Sequence, residues 1–396
     1  MYFSFDSFKW NSFGWPIMAF TFNSNGLAVT ISSGGGLNAS GGDTKTLTMG
    51  ASVWTVTGNF NISGTNLTVN YNTSEVKIDD SSTITAASGK ELYKLNLTPA
   101  LNAETYTLNS DITVNNTLTI DNSGTAGIIT INGNSINAKG DVATGSTNRN
   151  INGTTNLKIN GSTNQNVTMT FFSTSVLNLP FSIESTGGTV TLGGATFKIG
   201  NSWTFTSGTV SSGTSTVWFI DTVSVTSGTM AFNNVNIENT AGSKTLTLVD
   251  NMTVNGTFTT NAGTASAVNY TMNGSTINLK GDVTSGATER SLLGTTTLEI
   301  NGTGAQSFKY TAFSTSYLGL VVTINKGGNT LTFLSQTLKV GNTWTYTAGT
   351  VDFTTNSVVF QVEASCNINL GTVSLYQFTV NGGTATLTGN LDVNNN

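Results

Sequence analysis

Between Thr330 and Thr388 the chain is a succession of runs of three to five residues in which apolar side chains alternate with Thr, Asn or Ser. Thr330-Leu331-Thr332-Phe333-Leu334 is one and Thr343-Trp344-Thr345-Tyr346-Thr347 another. This alternation marks a strand with one buried face, because successive side chains leave a strand on opposite sides. The runs start at 330, 337, 343, 350, 357, 366, 373, 378 and 384, in steps of five to nine residues. An antiparallel sandwich places its turn signals roughly every 8–12 residues. The shorter steps suit a solenoid in which three short strands and three corners close one coil of roughly 18 to 22 residues. The expected fold is all-β, a parallel β-helix (β-solenoid) with three short strands per coil. One coil cannot bury its apolar side chains alone, but coils stacked about 4.8 Å apart share hydrogen bonds and a continuous core. Taking about 20 residues per coil, residues 37–396 make about 18 coils.

A long internal repeat supports this reading. Residues 139–179 return as 280–320, with 22 of the 41 positions identical at an offset of 141. The block opens on Lys-Gly-Asp-Val in both copies and contains Arg149 and Arg290, the two arginines of the chain. Trp203 and Trp344 share the same offset, and Trp54 follows a similar Gly-containing corner upstream. Strands of the form apolar-x-apolar before a Gly-rich corner recur at Leu95, Phe181, Val235, Val322 and Phe378. Their steps of 86, 54, 87 and 56 residues predict a unit of about four coils alternating with one of about three.

Residues 1–36 differ. Nine aromatics fall within the first 22 residues, and Ser32-Ser33-Gly34-Gly35-Gly36 follows as a joint. An aromatic cluster of this size must be buried, so the segment is expected to cap the first coil or to anchor the chain on another protein. At the other end, residues 387–393 match 248–254 and then stop. That predicts that another subunit covers the last coil or that the sequence belongs to a longer chain.

Composition excludes much chemistry. There is no histidine, which rules out a Ser-His-Asp triad and His-containing zinc sites, and the lone Cys366 rules out cysteine-rich metal sites and an internal disulfide. The formal charge of −5 is spread thinly with no basic cluster, so nucleic acid is not an expected partner. No run approaches the roughly 18 apolar residues of a membrane span, and the first 22 residues lack the pattern of a signal peptide. If Met1 is the true start, release is expected by another route, such as virus assembly and cell lysis. No phosphate-binding or dinucleotide fingerprint occurs, and Ser40-Gly41-Gly42-Asp43 is an isolated partial match to a calcium-binding repeat.

No catalytic, cofactor or metal site is therefore expected, and the chain is not expected to be an enzyme. A glycosidase on this fold would need paired carboxylates on one outer face, whereas the adjacent Asp79 and Asp80 would point to opposite sides of a strand. Asp141 and Arg149 lie eight residues apart, as do Asp282 and Arg290, so each pair is a candidate ion pair closing a loop. Trp54, Trp203 and Trp344 are candidate stacking platforms for sugars, with core packing the competing role.

The runs Gly341-Asn342-Thr343-Trp344-Thr345, Phe232-Asn233-Asn234-Val235-Asn236-Ile237 and Met252-Thr253-Val254-Asn255-Gly256-Thr257 resemble repeats of filamentous-haemagglutinin-like and autotransporter-like adhesins. Similar text occurs in phage tail fibres and tailspikes. The resemblance covers about residues 37–396 and implies a β-helix in a surface role. The function expected is a structural or adhesive rod of a virus particle, such as a tail fibre, spike or appendage, acting in host-surface attachment. A cell-surface adhesin or extracellular filament subunit is the alternative, and a polysaccharide-degrading tailspike the third. The implied partners are other virion or filament subunits, in a homo-oligomer, and a host-surface glycan or protein; the implied location is the virion or the cell surface.

Overall fold

The computed structural model describes residues 3–5, 8–9, 20–31, 36–42, 44–99, 103–121, 127–145, 149–169, 175–193, 196–240, 242–261, 267–286 and 290–394. The protein is an all-β parallel β-solenoid, and no described residue is helical. Its contacts form two compact units. One comprises Met1–Phe197 with Thr206–Ser211, the other Lys198–Phe205 with Ser212–Asn396.

The first unit is built on parallel ladders whose rungs are successive coils. Val29, Trp54, Val76, Leu95, Leu118, Val142, Val167 and Leu192 stand one above the next. A second ladder carries Leu37, Phe60, Ile84 and Leu108, and a third Ile112, Ile136, Leu157 and Phe181. Each named residue is buried. The alternation expected from the sequence is present in strands such as Val53–Val56 and Glu75–Ile78, where every second residue enters the core. The described parts of residues 1–36 join the same architecture: Phe3–Phe5 pairs with Val29–Ile31 and Phe8–Lys9 with Leu37–Asn38 on the first two ladders, and Phe20–Asn23 pairs with Lys45–Thr48 in a separate three-stranded sheet completed by Leu67–Asn70. Of the aromatic cluster, Phe22 meets the Trp54 indole edge-on, 5.6 Å between centroids. Tyr2, Trp10, Phe13, Trp15 and residues 32–35 of the expected joint lie outside the described residues.

In the second unit one ladder runs through Val217, Val235, Phe258, Val283, Phe308 and Phe333. Another runs through Met252, Ile277, Leu298, Val322, Trp344, Ile368 and Leu387. Phe378 stands on a third, above Phe360 and Leu338. The recurring landmarks Val235, Val322 and Phe378 thus fall on three ladders, and the steps between them are not whole numbers of coils as expected. Coil length is the reason: register partners are 18 residues apart from Val217 to Val235 but 25 from Phe258 to Val283. Corners are also less regular than three breaks per coil, since Leu318–Phe333 stays extended over 16 residues and pairs with strands of different ladders.

Toward its C-terminal side this unit has an aromatic core. Phe333 stacks on Phe353 at 4.0 Å, and Trp344 meets Phe360 edge-on at 5.4 Å. Offset and edge-to-face pairs of this kind add about 0.5–1.5 kcal/mol each beyond burial. They lock the stagger between coils as well as the spacing.

Candidate functional site

The duplicated Lys-Gly-Asp corner is the first place to seek chemistry. In the first copy it joins strands Ile136–Ala138 and Asp141–Thr144; in the second it lies between Thr276–Leu279 and Val283–Ser285. A Cβ on Gly140 would stand 1.7 Å from the Asn116 carbonyl oxygen of the preceding coil, and one on Gly281 2.2 Å from that of Gly256. Close approach therefore demands glycine here; the positive φ expected of corner glycines does not occur at either position. Asp141 Oδ1 accepts the Asn166 backbone N–H at 2.7 Å, and Asp282 Oδ1 accepts that of Ser307 at 2.7 Å. Each carboxylate caps the coil that follows.

A glutamine completes the corner. Gln165 Nε2 donates to the carbonyls of Ala138 (3.0 Å) and Gly140 (2.7 Å), while its Oε1 accepts the Gly161 N–H (2.8 Å). Gln306 repeats this with Leu279, Gly281 and Gly302. Both amides are buried, where an unmet backbone group costs about 1–3 kcal/mol. Sequence reasoning passed over Gln165 and Gln306, although their identity in both copies was the available signal. The repeated lysine has no common contact: Lys139 Nζ pairs with Glu91 at 2.7 Å, and Lys280 Nζ reaches the Asn301 carbonyl at 3.5 Å. Burial pushes the Glu91 carboxyl up, but the hydrogen bonds from Lys139 and Asn115 and the Lys139 charge outweigh it and leave it below the usual carboxylate range.

The expected ion pairs fare differently. Asp141 and Arg149 begin strands on two different ladders, and the Arg149 side chain lies outside the described residues. Asp282 and Arg290 are both described and form no ion pair. Asp282 serves the Ser307 N–H instead, and the Arg290 guanidinium lies over the Phe313 ring, 4.8 Å from its centroid. The sugar-stacking role for the tryptophans is also corrected. Trp54, Trp203 and Trp344 are 1%, 0% and 1% exposed, so no ligand can reach their faces. They fill the core because each occupies an inward position of its strand, and Trp54 Nε1 finds acceptors in Ser52 Oγ (3.0 Å) and the Met49 carbonyl (3.2 Å).

Two other places gather polar groups. In the second unit Asp221, at φ 64°, accepts the N–H and hydroxyl of Thr240 (2.9 and 2.8 Å) and lies 3.8 Å from Lys244 Nζ. The Tyr270 hydroxyl donates to its carbonyl at 2.9 Å, and Lys198 Nζ stands 5.3 Å over Trp218. Burial pushes the Glu238 carboxyl up, with the Lys198 charge opposing and Asp221 adding to the rise. Burial likewise lowers Lys198, against the pull of Glu238. A carboxyl raised by burial beside a lysine and a second carboxylate resembles an acid–base site. Here, however, Asp221 is occupied by Thr240 and Lys244, which ties successive coils together. These residues are dispersed from 198 to 270, so no local motif announces them.

The second place is a cleft of about 400 Å³ at a corner of the same unit, lined by Lys309, Thr311, Leu334, Gln336, Thr337 and Lys339 among others. Its floor is fixed: the Tyr310 N–H donates to Ser335 Oγ at 2.8 Å and the Ser335 hydroxyl returns to the Tyr310 carbonyl at 2.9 Å. The Tyr310 hydroxyl donates to the Arg290 carbonyl at 2.9 Å. Lys339 Nζ donates to the Ser314 carbonyl and lies 3.9 Å from Glu363. Among the described residues no group of three or more His, Cys, Asp or Glu side chains is placed to hold a metal ion. No protein-family model, curated protein or solved structure matches the chain.

Proposed function

We propose that the chain is a structural and adhesive part of a virus particle, a tail fibre, spike or related appendage, that meets the host surface through its outward faces. One observation supports this reading. The residues preserved between the two copies with common contacts, Gly140 and Gly281, Asp141 and Asp282, Gln165 and Gln306, all hold one coil to the next. Outward positions between those corners are then free to vary with the partner, and they carry mainly Thr, Asn and Ser, whose hydroxyls and amides suit many weak polar contacts. The action is mechanical presentation rather than bond cleavage.

The test is to seek the chain by mass spectrometry in purified particles of its source and to measure adsorption with excess purified protein present. Its presence in particles and a severalfold loss of adsorption are the expected results. Recovery from the cell envelope and absence from particles overturn the reading in favour of a cell-surface adhesin.

A further inference from the structure

We infer that the cleft between Lys309 and Lys339 binds a carboxylated saccharide; the inference rests on the attachment reading and names the ligand class. The argument starts from charge. The chain carries a formal −5, yet Lys309 and Lys339 both line this one cleft, with Glu363 as the acid paired there. Glu363 balances Lys339, whose ammonium is also held by the Ser314 carbonyl. Lys309 is exposed and has no carboxylate partner among the described residues, and Arg290 rests on Phe313 with none either. Of the cations lining the cleft, Lys309 is therefore left for an anion from outside.

The remaining lining specifies what kind of anion. Leu334 is 44% exposed in the cleft wall. A large apolar group held open beside hydroxyls and an amide, from Thr311, Thr337 and Gln336, matches a sugar ring, which has an apolar C–H face and a polar rim. An inorganic anion would not use Leu334. A neutral sugar would leave Lys309 unused. The volume lies at the lower end of small-ligand sites, about 300–1,000 Å³.

The frame is rigid before any ligand arrives. Tyr310 is clamped through Ser335 and the Arg290 carbonyl, the Thr311 N–H donates to Ser285 Oγ at 2.9 Å, and the Ser316 N–H closes a turn onto the Phe313 carbonyl at 2.8 Å. A preformed site avoids the ordering cost of closing on a ligand.

The experiment measures equilibrium binding of the full chain to two probes, a hexuronate oligosaccharide and a sialylated oligosaccharide, each beside a neutral analogue lacking the carboxylate. At least one acidic probe should bind tenfold or more tighter than its analogue, with the advantage shrinking as salt rises, since exposed charges are screened. Lys309→Ala should abolish the advantage and Lys309→Arg restore most of it, while Leu334→Ala should weaken acidic and neutral forms alike. Lys309 is exposed, so an unchanged circular dichroism spectrum and melting point confirm the fold of its variants. Equal binding of acidic and neutral forms, indifference to Lys309→Ala, or no saturable binding of either acidic probe overturns the inference. If no acidic probe binds yet excess protein still blocks adsorption, the inference falls and the attachment reading stands. If binding holds and adsorption is untouched, the attachment reading is the one that falls.

Discussion

Trp54 and Trp344 are both buried but differ in one hydrogen atom's fate. The Trp54 N–H has two acceptors, whereas the buried Trp344 N–H has none. Trp54→Phe should therefore cost about 1 kcal/mol more than Trp344→Phe, because both lose indole volume and one also loses hydrogen bonding. Urea unfolding of the two variants measures the difference, and equal costs would mean that volume alone governs. Asp352 offers a second single-residue test. Burial pushes its carboxyl up, but the hydrogen bonds from the Thr355 and Thr354 backbone and side-chain groups prevail and hold it at about 2. A folded value below the unfolded one stabilises the protein above the unfolded value, about 3.8–3.9, and that stability is lost as pH falls through about 2. Asp352→Asn should cost about 1 kcal/mol at pH 7 and converge with the parent near pH 2, as followed by unfolding across that range.

Corners, more than strands, decide whether coils can stack. Gly140→Ala sets a Cβ 1.7 Å from a backbone oxygen, which no side-chain rotation relieves, and should destabilise by roughly 3 kcal/mol or more. Gln165→Leu removes three hydrogen bonds, after which the Ala138 carbonyl keeps the Asn160 N–H while the Gly140 carbonyl and Gly161 N–H lose this partner, and should cost about 2–3 kcal/mol. Gln306→Leu should cost more, because Lys326, 3% exposed, donates to Gln306 Oε1 at 2.8 Å and would keep only the Gly304 carbonyl. In the first copy Ser185 stands where the second has Lys326. Combining Gln306→Leu with Lys326→Ser should bring the cost back to that of Gln165→Leu, and a double-mutant cycle reads this directly.

For the molecule as a whole, structural and adhesive duties should separate. Asp282→Ala removes the cap on the Ser307 N–H and should cost about 1 kcal/mol, yet leave adsorption blocking per folded molecule unchanged. A tenfold loss of blocking with the fold intact would place the corner itself against the host. Much of the architecture was readable in the chain, since runs such as Val53–Val56 bury alternate residues as their pattern requires. The candidate sites were less so. Trp54, Trp203 and Trp344 read equally well as platforms or core, because an indole at an alternating position carries no mark of which face its strand turns inward. Lys309, Leu334 and Lys339 belong to neighbouring coils and meet only once those coils are stacked.

The amino-acid sequence alone determined the strand alternation, the repeat and the absence of histidine chemistry, because each depends on residue type and order along one line. Folding settled register and company: how many residues each coil takes, which ladder a landmark joins, and which cations share a corner. Those depend on contacts between residues 18 to 29 positions apart, and that spacing changes from coil to coil. The Lys-Gly-Asp block shows both sides. Its duplication was plain, but its reason, a glycine pressed on the coil below and an aspartate capping the coil above, exists only once the coils are stacked.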